Sequence, residues 1–146
     1  MKRHANVTWN GSLTSGSGRL QSTQSGALND LPLGFKARFE DESGRSGTNP
    51  EELIAAAHAS CLSMQLAHML AESGTPAESL DVTAEVEIQP AQGGGFEIRA
   101  SAVTVVGKVS GLDEAKFKDT AAKAKDICPV SKALSGIDIT LEARLA

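Results

Sequence analysis

Between Asn49 and Gly74 the chain reads NPEELIAAAHASCLSMQLAHMLAESG, and this segment constrains the fold more than any other. Asn49 is suited to cap a helix, Pro50 fits its first position, and Glu52 stands where a capping box places its carboxylate. Gly74 is a good stop, with Pro76 just beyond. The expectation is one helix from Pro50 to Ser73, roughly 36 Å long at 1.5 Å per residue. Leu53, Ala57, Cys61, Met64, His68 and Ala71 fall on one stripe, and Leu62, Leu66, Met69 and Leu70 on a second. A helix apolar around most of its circumference is central, covered by a sheet and by other helices. Its many alanines would let a second copy of the helix approach closely, as in a dimer. His, Ser and Gln interrupt it too often for a membrane span.

The rest of the chain supplies strands to cover that helix. Val7–Leu13 and Gly18–Gln24 read as a hairpin around SGSG. Asn29–Pro32 reads as a turn, and Gly34–Glu40 as an extended piece in which Phe35, Ala37 and Phe39 alternate with Lys36 and Arg38. After the helix, VTAEVEIQ places Val82, Ala84, Val86 and Ile88 on one face, then turns through Gln92–Gly95 into a long strand, FEIRASAVTVVGKV. Residues 113–127 suit an amphipathic helix with Phe117, Ala121 and Ala124 inward and the i,i+4 pairs Glu114–Lys118 and Asp119–Lys123 outside. Pro129–Ser135 suits a short helix stopped by Gly136, and 137–145 alternates as a half-buried strand. The order indicates an α+β fold with a largely antiparallel sheet, in one domain spanning residues 1–146.

Composition narrows the function. The net charge is −4, with no basic stripe, which argues against a nucleic-acid binder. One Trp, four Phe and no Tyr leave little for stacking on bases. MKRHANVTWNG has no apolar core of an export signal, so the expected location is the cytoplasm, where paired cysteines need not form a permanent disulfide.

Chemistry then rests on Cys61 and Cys128. Cys61 lies on an apolar helical row and reads first as core filler, because a buried thiol is a weak nucleophile without a nearby cation. His58, one turn away, and Arg38 are the candidates for that cation. Cys128 precedes Pro129; at the cap of a helix it would be the more acidic thiol, or else a small filler at a helix break. Which cysteine attacks stays open on these grounds. His58, Cys61, His68 and Cys128 offer zinc-type ligands, but their spacing matches no compact metal motif. No phosphate-binding glycine loop, G-x-S-x-G motif or marked carboxylate pair is present. Glu51 and Glu52 suit the positive end of the helix dipole.

GTNPEELIAAAHASCLSM, KAKDICPVSKAL and GFKARFE, in their positions along the chain, resemble the OsmC branch of the OsmC/Ohr family of osmotically inducible and organic hydroperoxide resistance proteins. The likeness runs from TWNGSLTSGSG to the final strand, and the histidine of AAHASC points to the OsmC branch. The resemblance implies an intertwined α+β homodimer, with sheets wrapped around central helices, acting as a thiol peroxidase on organic hydroperoxides without metal or organic cofactor. It assigns Cys61 as the peroxidatic cysteine, Cys128 as the resolving one, Arg38 as the thiolate-stabilising group and Glu51 as the residue orienting Arg38. The implied partners are the hydroperoxide and a dithiol reductant of lipoyl type or a small thiol, with no nucleic acid and no membrane. A redox sensor using the same disulfide without turnover is the alternative. Glu51 and Cys61 are ten residues apart on one helix, roughly 15 Å along its axis. An active site built from both is therefore expected at the interface of two chains.

Overall fold

The structure, a computed structural model, describes residues 1–146. The chain forms two compact units, Met1–Leu53 and Ile54–Ala146.

In the first unit, β1 (Ala5–Asn10), β2 (Ser17–Thr23) and β3 (Asn29–Leu33) make an antiparallel sheet with β2 in the middle. The hairpin is the expected one, but its loop is Gly11–Gly16 rather than the four residues SGSG. The segment read as a turn, Asn29–Pro32, lies in strand β3. Pro32 can sit there because β3 is an edge strand and a missing N–H costs no ladder bond on the outer side. Leu20 is buried on β2, whereas β1 is exposed along its whole length.

A second correction concerns Gly34–Glu40. It is not extended: Phe35–Phe39 is a one-turn helix, α1, with Ala37 buried. Residues alternating at i, i+2 and i+4 also contain an i,i+4 pair, and here that pair decides. The rings of Phe35 and Phe39 sit 5.0 Å apart, one above the other on the helix. The loop that follows is organised by Asp41. Its carboxylate accepts from the Ser43 hydroxyl and from the N–H groups of Ser43, Arg45 and Ser46; the Ser43 hydroxyl first, with the Ser46 contacts, holds it well below the usual carboxylate range.

Helix α2 runs from Pro50 to Glu72. Asn49 caps it as expected, its Oδ1 accepting from the Glu52 N–H at 2.8 Å. Glu52 reaches back to the Thr48 hydroxyl at 2.7 Å instead of closing a capping box on Asn49. With 23 residues and a mean hydropathy of 1.3, α2 is long and apolar enough to cross a membrane on length and composition alone. Its actual contacts are specific to this fold: His58, Leu62, Leu66 and Leu70, spaced four apart, are fully buried. The other stripe read from the sequence, around Ala57, Met64, His68 and Ala71, is exposed in the single chain, with Met64 at 73%.

The second unit packs that row against a three-stranded sheet of β4 (Ser79–Pro90), β5 (Phe96–Lys108) and β6 (Asp138–Leu145), with β5 central. Val82, Ala84, Val86 and Ile88 share the partly buried side of β4, as expected. Gly94 and Gly95 close the β4–β5 hairpin with φ of 91° and 80°, a region open to glycine at no steric cost. β6 pairs parallel to β5, against the antiparallel tendency elsewhere, because α3 and α4 carry the chain back across before β6 begins.

Helix α3 (Glu114–Ile127) is capped by Asp113 and buries Phe117, Ala121 and Ala124; the Lys118–Glu114 and Lys123–Asp119 pairs form on its outer side. A short α4 (Pro129–Ala133) follows after Cys128, the single residue that ends one helix and begins the next. The core combines Leu62, Leu66 and Leu70 with Val103, Val105, Phe117, Ala121, Ala124 and Cys128.

Candidate active site

Two pairs of candidate site residues form, one in each unit. In the first, Glu51 occupies the second position of α2, where the helix dipole favours a carboxylate, and it is almost fully buried. Arg38 on α1 meets it with a forked contact. Nη2 donates to Oε1 at 2.7 Å, and Nε lies 3.2 and 3.3 Å from the two carboxylate oxygens. Such planar two-point pairing fixes the guanidinium in direction as well as charge. The guanidinium also stands 5.0 Å over the Phe39 ring. The Glu51 contacts engage Nε and Nη2, leaving the Nη1 edge for another anion. Beside Arg38 lies a cavity of about 350 Å³ walled by Trp9, Leu13, Phe35, Phe39 and Pro50. The sequence reading gave these wall residues no role.

In the second unit, Cys61 on α2 and Cys128 at the α3–α4 junction are free thiols whose side chains interact directly. Cys128 is fully buried, Cys61 only partly. Burial pushes the Cys61 thiol above its ordinary value, and the neighbouring Cys128 adds to the rise; the Val130 N–H opposes it. Cys128 moves the other way. Burial alone would raise it, but the Ser131 N–H and hydroxyl, the Cys61 thiol and the Val130 N–H together bring it below the ordinary value. The opposed shifts describe one pair in which Cys128 is the better seat for the negative charge. Within this unit Cys61 therefore lacks the cation that would make it the nucleophile.

His58 does not supply that charge. It is fully buried, with Nδ1 2.8 Å from Ser101 Oγ and Nε2 2.9 Å from Ser131 Oγ, and burial lowers its pKa, so the ring stays neutral. The reading of His58 as a candidate cation for Cys61 is corrected on this point. Both ring nitrogens being engaged by serines, His58 is also not placed as a metal ligand, and no three His, Cys, Asp or Glu side chains converge. His68 lies on the exposed side of α2, beside Glu72.

Ser101 and Ser131 escaped the sequence reading, although a signal existed. Ser101 shares the inward phase of β5 with Val103 and Val105, and His58 shares the buried row of α2 with three leucines. Polar residues in such phases need partners, and each is the other's.

Residues 41–142 match the family model of OsmC-like proteins. The sequence is 45% identical to the peroxiredoxin OsmC of Escherichia coli (strain K12) over 137 residues, 94% of this chain and 92% of that protein. The chain belongs to the OsmC family. It is also 35% identical to the organic hydroperoxide resistance protein OhrB of Bacillus subtilis (strain 168), over 69% of this chain and 73% of that protein. The crystal structure of Bacillus subtilis OhrB superposes with a TM-score of 0.72 at 29% identity, covering 97% of this chain and 98% of the other. An OsmC structure from Legionella pneumophila superposes at 0.70, with 25% identity and 97% and 96% coverage. The α+β architecture is thus that of the OsmC family, and this OsmC-family chain carries two free cysteines and an Arg38–Glu51 ion pair.

Proposed function

We propose that this protein is a two-cysteine peroxidase that reduces organic hydroperoxides, with Cys61 as the attacking thiol, Cys128 as the resolving thiol, Arg38 as the cation for the Cys61 thiolate and Glu51 as the group that aims Arg38. The observation that carries the reading is the direct contact of the two free thiols, one buried and one partly open. Relatives named peroxiredoxin and organic hydroperoxide resistance protein support it.

The Cys61 thiolate attacks the peroxide oxygen, giving a Cys61 sulfenic acid and an alkoxide that takes a proton to leave as alcohol. The Cys128 thiolate then attacks the sulfenic sulfur; the hydroxyl leaves with a proton as water, and a Cys61–Cys128 disulfide remains. A dithiol, of lipoyl type or another small thiol, reopens it by two exchanges and is itself oxidised to a disulfide. The apolar cavity beside Arg38 suits an alkyl chain better than hydrogen peroxide, which has nothing to bury there.

Glu51 and Cys61 are separated by roughly 15 Å along α2. The working site is accordingly assigned to a homodimer in which Arg38 and Glu51 of one subunit serve Cys61 and Cys128 of the other. The exposed Met64 face of α2 and the exposed β1 strand are the surfaces available for such pairing. The two units act together as one OsmC-like domain, and a cytoplasmic setting keeps the thiols reduced between turnovers.

Intact-mass measurement after one equivalent of an organic hydroperoxide tests the core of this proposal. Loss of two hydrogens per chain, reversed by a dithiol and repeated over many cycles, is the expected result. A single oxidation without turnover would make the protein a sensor instead, and full multi-turnover activity in a Cys61→Ser variant would end the assignment.

A further inference from the structure

The buried row of α2 holds three leucines and one histidine, and the inward row of β5 holds two valines and one serine. A polar group placed in such a core costs free energy unless it is fully bonded. Here the bonding runs in a line. Ser101 Oγ meets His58 Nδ1 at 2.8 Å, and His58 Nε2 meets Ser131 Oγ at 2.9 Å. Ser131 in turn stands three residues after Cys128, on the first turn of α4, with its hydroxyl toward the Cys128 sulfur. All members of the line are buried.

A neutral imidazole has one donor and one acceptor, so the line can point in only two directions. If His58 carries its proton on Nδ1, it donates to Ser101. Ser131 must then spend its hydroxyl proton on Nε2 and turn lone pairs toward Cys128, which repels a thiolate. If the proton is on Nε2, Ser101 donates to Nδ1, Nε2–H donates to Ser131, and the Ser131 hydroxyl is free to donate to sulfur. Each bond then polarises the next toward the anion.

We infer that His58 is a positioning residue for Cys128: held by Ser101 with its proton on Nε2, it turns the Ser131 hydroxyl onto the Cys128 sulfur and keeps that thiol ready to close on Cys61. This deepens the peroxidase assignment and rests on its reading of Cys128 as the resolving thiol. His58 touches no reacting atom; its effect passes entirely through Ser131.

The chain has three histidines and two cysteines, which makes the test clean. In the reduced full-length protein labelled with nitrogen-15 histidine, two-bond proton–nitrogen spectra are expected to report His58 protonated on Nε2 and bare on Nδ1. The opposite tautomer, or an imidazolium, would overturn the inference without any variant having to fold. In a Cys61→Ser background Cys128 is the sole thiol, and its ionisation is read by ultraviolet thiolate absorbance against pH. Ser131→Ala should raise the midpoint by about one pH unit, the weight of one hydrogen bond to a charged group. His58→Phe should raise it by less, and Ser131→Thr, which keeps the hydroxyl, should restore it. Folded Ser131→Ala and His58→Phe proteins with an unshifted midpoint would sink the idea. The titration uses no peroxide, so a failure of the peroxidase assignment shows up separately, as the absence of a peroxide-induced disulfide.

Discussion

Two residues with the same textual prominence in the motif AAHASC have opposite fates. Cys61 remains partly open, whereas His58 is wholly enclosed and kept neutral by burial. A histidine whose folded pKa lies below its ordinary 6.5 contributes stability that is present above that value and is lost as pH falls toward the folded pKa. The melting temperature should therefore drop as the pH is lowered from neutral through about 6 and below. His58→Phe should flatten that slope, which thermal denaturation at a series of pH values would measure. Arg38 and Glu51 separate activity from stability in a complementary way. Arg38→Ala removes the proposed cation and should slow Cys61 oxidation about tenfold or more at neutral pH, a loss of at least one pKa unit of thiolate stabilisation. It also strands a buried carboxylate, at about 1–3 kcal/mol. Adding Glu51→Gln should recover part of the stability and none of the peroxide consumption. Recovery of the rate would show that Arg38 acts only structurally.

At the scale of elements, the sequence was legible wherever one periodicity dominated. α2, with its Asn49 cap, the β4–β5 hairpin and α3 with its inward Phe117 all follow from spacing. Phe35–Phe39 did not, because five residues satisfy both periods and the ring pair settles the matter only in three dimensions. Nor did β3, since a proline in a short polar stretch reads as a turn until an edge position is available. The candidate site followed the same rule. Its four motif residues were visible, while the serines around His58 depended on which strand phase faces inward. Gly107 on β5 marks how tightly those elements meet: a side-chain carbon there would run into the Phe117 ring and approach Leu80. Gly107→Ala should cost about 1–3 kcal/mol through overpacking, measurable by chemical denaturation. A neutral result would mean that α3 can shift away from the sheet without loss.

For the molecule as a whole, the proposed division of labour between subunits predicts complementation. Arg38→Ala and Cys61→Ser homodimers should each be nearly inactive. Unfolded and refolded together, half of the dimers formed at random should be mixed and carry one complete site, giving about a quarter of the unaltered activity. No recovery, with mixed dimers present by mass, would place each site within a single chain. Met64→Glu, on the exposed face of α2, should weaken association in sedimentation measurements because a charge would be buried without a partner.

The enclosure of Cys128 also sets a direction for the return half of the cycle. In the proposed cycle, Cys61 is the partly open residue of the disulfide and Cys128 the enclosed one, so an incoming thiolate is expected to form its mixed disulfide at Cys61. Cys128 then departs as the leaving group, and the contacts that favour its anion make it a fast one. The packing that hides one sulfur thus orders the traffic of reductants: access is granted at one atom, and release is driven from the other.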